Sequence, residues 1–227
     1  MDELTARARA YAALGDPSRL AIVELLANAD LSPGELGARL DIPTNLMAHH
    51  LQTLEQAGLV VRHRSEGDGR RSYVLRTPAC TRLLGGATAG LPRPHRVAFV
   101  CSQNSARSQL AEHYWRTISD VPVLSAGTRP APRVHPRAVA VGRRHGLDLA
   151  HAAPKLAGDV LTGDELVIAV CDRAYEEMDA PAHWSIPDPA RADSAAAFET
   201  AFRDLAARVR VLAASIERDP SPSPPGS

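Results

Sequence analysis

One segment of the chain, VAFVCSQNSARSQLAE at residues 97–112, constrains the fold more than any other. The apolar run up to Val100 predicts a buried strand, and Cys101 follows it directly. After five further residues, Arg107 begins a predicted helix. A short loop that enters a helix turns its backbone N–H groups inward and adds the positive end of the helix dipole. The segment therefore predicts a cradle for an oxyanion with a thiol at its base.

Each residue type in this loop suits oxyanion chemistry. The planar guanidinium of Arg107 can hold two anion oxygens, and the positive field favours the thiolate form of Cys101 as a nucleophile. Ser108 can donate a hydrogen bond to that thiolate, and Asn104 is expected to hold the loop by bonding its backbone. The predicted oxyanion-binding residues are Ser102, Gln103, Asn104, Ser105, Ala106, Arg107 and Ser108. The alternative is that this spacing arose by chance, which the flanking strand and helix make the weaker interpretation.

Strands and helices alternate after residue 95. Strands are predicted at 96–100, 121–126 and 166–170, with a fourth at 184–186, and helices at 108–119, 135–145 and 195–218. Such alternation predicts an α/β domain with a four-stranded parallel sheet covered on both faces. A late loop holds Asp188 between two prolines. A rigid loop that presents one carboxylic acid suits a general acid, provided that the acid reaches the leaving oxygen. A simple turn aspartate is the alternative interpretation.

The first part of the chain predicts a mainly α winged helix-turn-helix domain. Helices are expected over 2–14, from Pro17, from Pro33 with Ser32 as its cap, and over 44–56, followed by a hairpin at 67–69. On the helix over 44–56, apolar spacing turns Met47, His50, Leu51 and Leu54 inward. The predicted DNA-binding residues are Thr44, Asn45, His49 and Gln52 on its outer face, and Arg64, Arg70 and Arg71 on the wing. A solvated hairpin, balanced by Glu66 and Asp68, is the alternative for the arginines.

Composition bounds the domain organisation and the partners. The formal net charge is zero, so DNA binding must rest on a local patch. We predict a DNA-binding domain at 1–84, a linker at 85–95, an α/β domain at 96–218 and a disordered tail at 219–227. Three cysteines do not form a secreted disulfide framework, and no signal peptide or membrane-length apolar run is present. A cytoplasmic protein without membrane association is the expectation.

The segments GDPSRLAIVELL and HHLQTLEQAGLV resemble the arsenic-repressor (ArsR-type) metalloregulators. The resemblance implies a homodimer that reads an inverted repeat of operator DNA. Family members that sense arsenite or metals usually do so with paired cysteines or with His/Asp/Glu clusters on the last helix. This region has only Cys80, and one thiolate cannot supply the several soft ligands that As(III) needs. We interpret Cys80 as a structural thiol unless an intersubunit pair forms. His49 and His50 point about 100° apart and cannot chelate together; His50 is expected to be packed or capping, and no metal site is predicted.

The second domain resembles the low-molecular-weight protein tyrosine phosphatase fold, and more closely the arsenate reductases built on it. NSARSQ, SAGT at 125–128, VCDRA at 170–174 and HWSIPDPA at 183–190 carry this resemblance, and Gln109 stands where tyrosine phosphatases usually have proline. The resemblance implies that Cys101 attacks arsenate while Asp188 protonates the departing oxygen. A second thiol then attacks the Cys101 sulfur, and arsenite leaves.

Two sources of this second thiol remain open. Cys171 aligns with the resolving cysteine of thioredoxin-coupled reductases, but Met178 replaces the third cysteine of their relay. Either a partner such as thioredoxin reduces a Cys101–Cys171 disulfide, or a small cellular thiol attacks Cys101 with the help of a glutaredoxin-like partner. We favour the external thiol. By the same resemblance, Asn104, Glu112 and Ser125 match a potassium site, unless Glu112 faces solvent.

The leading functional hypothesis is a thiol-dependent arsenate reductase, with no tightly bound cofactor, fused to an arsenic-type DNA-binding regulator. One alternative is a repressor whose reductase-like domain senses an oxyanion or the redox state. The other is a low-molecular-weight protein tyrosine phosphatase, in which water replaces the second thiol.

Overall fold

The computed structural model describes residues 2–84, 91–178 and 180–217. The chain divides into two compact units, the first ending at Thr88 and the second beginning at Ala89. Residues 85–90 of the predicted linker and the whole predicted tail at 219–227 lie outside the described residues. The proposed boundaries at 1–84 and 96–218 therefore stay predictions.

The first unit is mainly helical and carries one hairpin. Its elements are α1 (Glu3–Leu14), α2 (Pro17–Leu25), α3 (Pro33–Leu40), α4 (Thr44–Gln56), β1 (Val60–Arg64), β2 (Ser72–Arg76) and α5 (Pro78–Leu83). β1 and β2 pair antiparallel on either side of the predicted turn. This order of helices followed by a hairpin confirms the predicted winged helix-turn-helix architecture.

The helix boundaries in this unit follow from side-chain caps. The Asp16 carboxylate accepts a hydrogen bond from the Arg19 N–H at 2.9 Å, at the start of α2. Ser32 and Glu35 form a reciprocal capping box at the start of α3. Each cap satisfies backbone donors that a helix start leaves without intrahelical partners. In α4 the four residues predicted to face inward are all buried, which confirms the amphipathic interpretation.

The second unit is an α/β layer structure. Its strands are β3 (Val97–Cys101), β4 (Val123–Gly127), β5 (Leu166–Ala169) and β6 (Ala182–His183). Its helices are α6 (Arg107–Trp115), α7 (Pro136–Arg144), α8 (Ala157–Val160), α9 (Asp172–Met178), α10 (Pro189–Ala192) and α11 (Ala195–Glu217). The strand order is β4-β3-β5-β6 and every neighbouring pair is parallel, which confirms the predicted sheet.

The core of this unit is built around β3. All five residues of β3 are buried, as expected for a central strand of a parallel sheet. The Phe99 ring contacts Trp115 and Trp184, with centroid distances of 5.9 and 5.7 Å. The α11 helix packs against α6 and α7. This core fixes the end of β3, and with it the position of Cys101.

The fourth strand differs from the sequence prediction at 184–186. β6 ends at His183. The Trp184 N–H still bonds the Ala169 carbonyl, but the Ile186 N–H turns back to the Trp184 carbonyl at 2.9 Å. The prediction was wrong by about two residues because this local turn removes the chain from the ladder. None of the helices in the described ranges has the length and apolarity needed to cross a bilayer.

Candidate active site

The loop between β3 and α6 wraps around the Cys101 sulfur. The Asn104 N–H donates to Cys101 Sγ at 3.2 Å, and the Ser108 hydroxyl lies 3.1 Å from the same atom. Asn104 adopts a left-handed φ of 47°, which bends the loop back over the thiol. Among the residues that the structure describes, the backbone N–H groups of Ser105 and Ala106 find no acceptor, although both residues are buried. Such a concave set of donors can bind an oxyanion.

Asn104 connects this cradle to three other segments. Its Oδ1 accepts from the Lys155 N–H at 2.8 Å and from Gln109 Nε2 at 3.1 Å. Its Nδ2 donates to the hydroxyls of Ser108 and Ser125, both at 2.8 Å. The prediction that Asn104 bonds the backbone of its own loop was therefore wrong. The side chain reaches outward instead, because the left-handed turn aims it at the neighbouring segments.

A glycine at the end of β4 permits the close approach of the cradle. A Cβ atom at Gly127 would stand 2.8 Å from the Ser102 carbonyl oxygen and 2.9 Å from the Asn104 nitrogen. Real Cβ atoms essentially never come within 3.0 Å of such backbone atoms. The cradle backbone therefore occupies the space that any side chain at this position would need.

The segment that follows β4, residues 128–135, forms one wall of the cradle, and we call it the rim segment. Its N–H groups at 128, 129, 131 and 135 donate to the carbonyls of residues 101, 102, 103 and 105, over 2.8–3.1 Å. Arg129 and Arg133 are its exposed charged side chains. Because backbone bonds fix the segment, these two arginines have a defined location beside the cradle.

Arg107 and Asp188 are brought together. The Arg107 guanidinium donates to the Ile186 carbonyl at 2.8 Å, and its Nη2 lies 3.2 Å from Asp188 Oδ2. Asp188 caps α10 through the Ala190 N–H at 3.1 Å, so its carboxylate is held by a helix start as well. About a quarter of the Asp188 side chain, 28 %, is exposed, which leaves it accessible to a bound substrate.

Cys171 lies at the end of the strand next to that of Cys101. Its Sγ accepts from the Ala174 N–H at 3.4 Å and lies 3.6 Å from the Ser102 hydroxyl. Burial raises the pKa of the Cys171 thiol, and the charge of Cys101 adds to that effect, while Arg107 opposes it. Met178, at the predicted position of a third cysteine, ends α9. The two thiols of this unit therefore occupy adjacent strand ends in a shared buried environment.

Glu112 lies behind the cradle in a network of cationic and hydroxyl partners. Its buried carboxylate accepts from Arg116 and Ser125, and Lys155 Nζ lies 3.4 Å away. The alternative that Glu112 faces solvent was therefore wrong. The Arg116 guanidinium and the Lys155 ammonium already bring positive charge to the Glu112 carboxylate, so a potassium ion at this position would be repelled by both. Across the described parts of the chain, no group of three or more His, Cys, Asp or Glu side chains could hold a metal.

Sequence reasoning missed Lys155 and Gly127 as parts of this site. Lys155 donates through its backbone to Asn104 and through its side chain to Glu112. It is also the only lysine in the chain, and this rarity is the one sequence signal that could have drawn attention to it. Gly127 lies in the SAGT string, but a glycine there carries no chemistry of its own.

In the first unit, the residues predicted to contact DNA are exposed. Thr44, Asn45, His49 and Gln52 share the outer face of α4, and Arg64, Arg70 and Arg71 lie on or beside the hairpin. Asp68 lies 3.2 Å from Arg70 and 3.9 Å from Arg71, so part of the wing charge is balanced within the turn. His50 is buried, with Nδ1 3.9 Å from Asp16 Oδ1. Cys80 is fully buried, and burial raises the pKa of its thiol.

Comparisons with known proteins agree with this two-part organisation. Residues 96–221 match the low molecular weight phosphotyrosine protein phosphatase family, and residues 14–63 match a helix-turn-helix domain. Arsenate reductase 1 of Staphylococcus saprophyticus is 31% identical over 103 residues, covering 41% of this chain and 78% of the relative. The arsenate reductase of Bacillus subtilis is 31% identical over 115 residues, covering 47% and 82%.

Among solved structures, an arsenate reductase in the oxidized state is 28% identical, with a TM-score of 0.47, and the match covers 54% of this chain and 98% of that one. The predicted combination of a regulator-type helix-turn-helix domain with a phosphatase-fold domain is confirmed by the two family matches. The chain belongs to the low molecular weight phosphotyrosine protein phosphatase family and carries an additional helix-turn-helix domain before it.

Proposed function

We propose that this chain reduces arsenate to arsenite through Cys101, and that its first domain binds operator DNA. The observation that carries the enzymatic part is the cradle itself. Cys101 Sγ accepts from the Asn104 N–H, two buried N–H groups beside it are unsatisfied within the described residues, and Arg107 begins the adjoining helix. The arsenate reductases among the relatives support arsenate as the oxyanion.

The proposed reaction has two covalent steps. The Cys101 thiolate first attacks As(V), forming a sulfur–arsenic bond while Asp188 protonates the oxygen that leaves as water. A second thiolate then attacks Cys101 Sγ. A sulfur–sulfur bond forms, the sulfur–arsenic bond breaks, and its electron pair stays on arsenic, which leaves as As(III) in arsenite. Arg107 and the loop N–H groups hold the anion in both steps.

We propose that the second thiol is an external small cellular thiol, with a glutaredoxin-like protein as partner. The buried environment of Cys171 supports this choice, because the raised pKa of its thiol leaves little thiolate at neutral pH. Met178, in place of a third cysteine, supports it as well. In the alternative, Cys171 attacks Cys101 and a thioredoxin-like partner reduces the disulfide.

The test is arsenate turnover followed by mass spectrometry of the intact chain. Cys101→Ser should abolish arsenite formation with every thiol donor, whereas Cys80→Ser, in the other unit, should leave it unchanged. A mixed disulfide on Cys101 would support the external thiol, and a Cys101–Cys171 disulfide would support the internal one. Full activity of Cys101→Ser would refute the mechanism.

Phosphatase activity is a second candidate, because Arg107 could equally hold a phosphate ester while the Asp188 carboxyl protonates its leaving oxygen, with water as the second nucleophile. Ready hydrolysis of p-nitrophenyl phosphate, together with no arsenate reduction, would favour it over the reductase.

For the first domain, we propose a cytoplasmic homodimer that reads DNA with the outer face of α4 and the wing. The exposure of Asn45 and Gln52 supports base contact, because their amides can pair with adenine edges. Gel shifts with upstream DNA, with and without arsenite or arsenate, test this proposal. Release of DNA by arsenate alone would favour the alternative in which the second domain is a sensor.

A further inference from the structure

The strongest feature that the proposed reaction does not use is the charge on the rim segment. The eight residues 128–135 contain Arg129 and Arg133 and no acidic residue. Arg129 forms an ion pair with Glu177. Arg133 is exposed and has no charged or hydrogen-bonding partner for its side chain anywhere in residues 2–84, 91–178 and 180–217.

The location of Arg133 follows from the backbone bonds on either side of it. Two residues before, the Ala131 N–H donates to the Gln103 carbonyl at 2.9 Å. Two residues after, the His135 N–H donates to the Ser105 carbonyl at 2.8 Å. Arg133 therefore stands beside the middle of the cradle, on a wall that backbone hydrogen bonds hold in place.

Access to Cys101 limits what can react there. Cys101 is only 2 % exposed, and Ser105 and Arg107 beside it are each 6 % exposed. An attacking sulfur must therefore enter a narrow opening, while the rest of the molecule that carries it stays outside. A short thiol with its charged groups at the end away from the sulfur meets this condition better than the surface of a folded protein does.

We propose that the rim segment is a recognition site for the thiol co-substrate, and that this co-substrate is a small thiol bearing carboxylate groups. Its sulfur reaches Cys101 while a carboxylate pairs with Arg133, whose planar guanidinium favours carboxylate partners. This inference rests on the proposed reductase function. The first thiol forms a mixed disulfide with Cys101 as arsenite leaves, and a second molecule of the same thiol releases Cys101 as thiolate. Arsenate and two thiols thus give arsenite, one disulfide and water.

The test compares three thiols with the full chain: mercaptosuccinate, which is dianionic, 2-mercaptoethanol, which is neutral, and cysteamine, which is cationic. Arg133→Glu should raise the apparent KM for mercaptosuccinate about tenfold, and Arg133→Gln about threefold, as expected for gaining a repulsion or losing one exposed ion pair. Rates with 2-mercaptoethanol should stay unchanged, and the apparent KM for cysteamine should fall in Arg133→Glu. Arg143→Glu, an exposed charge reversal on α7, is the matched control and should have no effect.

Several outcomes would overturn the inference. One is equal use of mercaptosuccinate by wild type and Arg133→Glu. Another is a higher KM for arsenate with all three thiols, which would assign Arg133 to the substrate. Activity only with a redox protein would also contradict it. Two controls separate this inference from the proposed function. No arsenite with any of the three thiols, and none after addition of a glutaredoxin or a thioredoxin, refutes the function. Reduction with 2-mercaptoethanol but no dependence on residue 133 refutes only the inference.

Discussion

Replacing Gly127 by alanine tests how closely the fold controls the cradle. The added Cβ would lie 2.8 Å from the Ser102 carbonyl oxygen and 2.9 Å from the Asn104 nitrogen. Ordinary contacts of this kind begin near 3.4 Å, so the cradle backbone must retreat by roughly 0.5 Å. Both atoms are backbone, and Asn104 is held by four side-chain bonds, so no flexible group can absorb the shift.

We expect Gly127→Ala to lower the free energy of unfolding of the second unit by about 1–3 kcal/mol. Because the Asn104 N–H also donates to Cys101 Sγ, the same shift misplaces the nucleophile and its anion donors. Misplacement of this size should reduce kcat/KM for arsenate by about tenfold to a hundredfold. Weaker binding of inorganic phosphate should accompany the loss.

The assay uses the position of the tryptophans. Trp115 and Trp184 are the only two tryptophans in the chain and both lie in the second unit, so tryptophan fluorescence during urea unfolding reports on that unit, whereas tyrosine fluorescence would include the first. Gly158→Ala in α8 is the matched control, because a Cβ there meets nothing within 4 Å. It should be neutral, or stabilising by up to about 1 kcal/mol. If Gly127→Ala matches Gly158→Ala in stability, phosphate affinity and kcat/KM, the close approach does not hold the cradle.

Three further predictions concern ionisable groups of the second unit. Burial alone would raise the pKa of Glu165, but Arg96 and Thr162 outweigh it and lower that pKa from 4.5 to about 2. Glu165 therefore stabilises the folded state above about pH 5, and this contribution is lost as the pH falls toward 2. In urea unfolding, the stability of Glu165→Gln should fall less steeply than that of the wild type between pH 5 and pH 2. An equally steep fall in both proteins would contradict the assignment. Lys155→Met should destabilise the second unit by about 1 kcal/mol in urea unfolding, since it leaves Glu112 with Arg116 as its one cationic partner. For the same reason, the positive charge at Glu112 does not depend on the salt. Replacing NaCl by KCl at constant ionic strength should therefore leave wild-type kcat/KM unchanged. Because the pKa of the Cys171 thiol is raised, peptide mapping after iodoacetamide treatment should find Cys171 unmodified at pH 7–8 in the folded chain; rapid labelling there would argue against its burial.

Local patterns in the sequence predicted what lies close along the chain. The strand, the thiol and the helix start around residue 101 are contiguous, and the apolar spacing of α4 depends only on helix periodicity. The caps at Asp16 and Ser32 were predictable for the same reason, because each bonds an N–H three residues ahead.

Contacts between distant segments could not be predicted in this way. Lys155 lies 51 positions from Asn104 and 43 from Glu112 in the sequence, and it bonds both. The residues around Lys155 do not indicate these partners, and the residues around the partners do not indicate Lys155. The sequence prediction placed the fourth strand too late in the chain. A strand at the edge of a sheet ends where the backbone stops pairing with its neighbour, and local sequence does not reveal that position. The steric role of Gly127 likewise depends on a backbone some 25 residues earlier, whose path only the folded structure provides.

The single lysine gives the protein a practical property. Lys155 offers the only ε-amine of the chain, its side chain is 36% exposed, and it lies beside Glu112, behind the cradle. An amine-reactive fluorophore applied above neutral pH would therefore attach to one side chain, that of Lys155, besides the α-amine of the first residue. Such a label needs no engineered cysteine that would compete with the two thiols of the second unit, and its emission would test whether anion binding to the cradle changes the surroundings of Glu112.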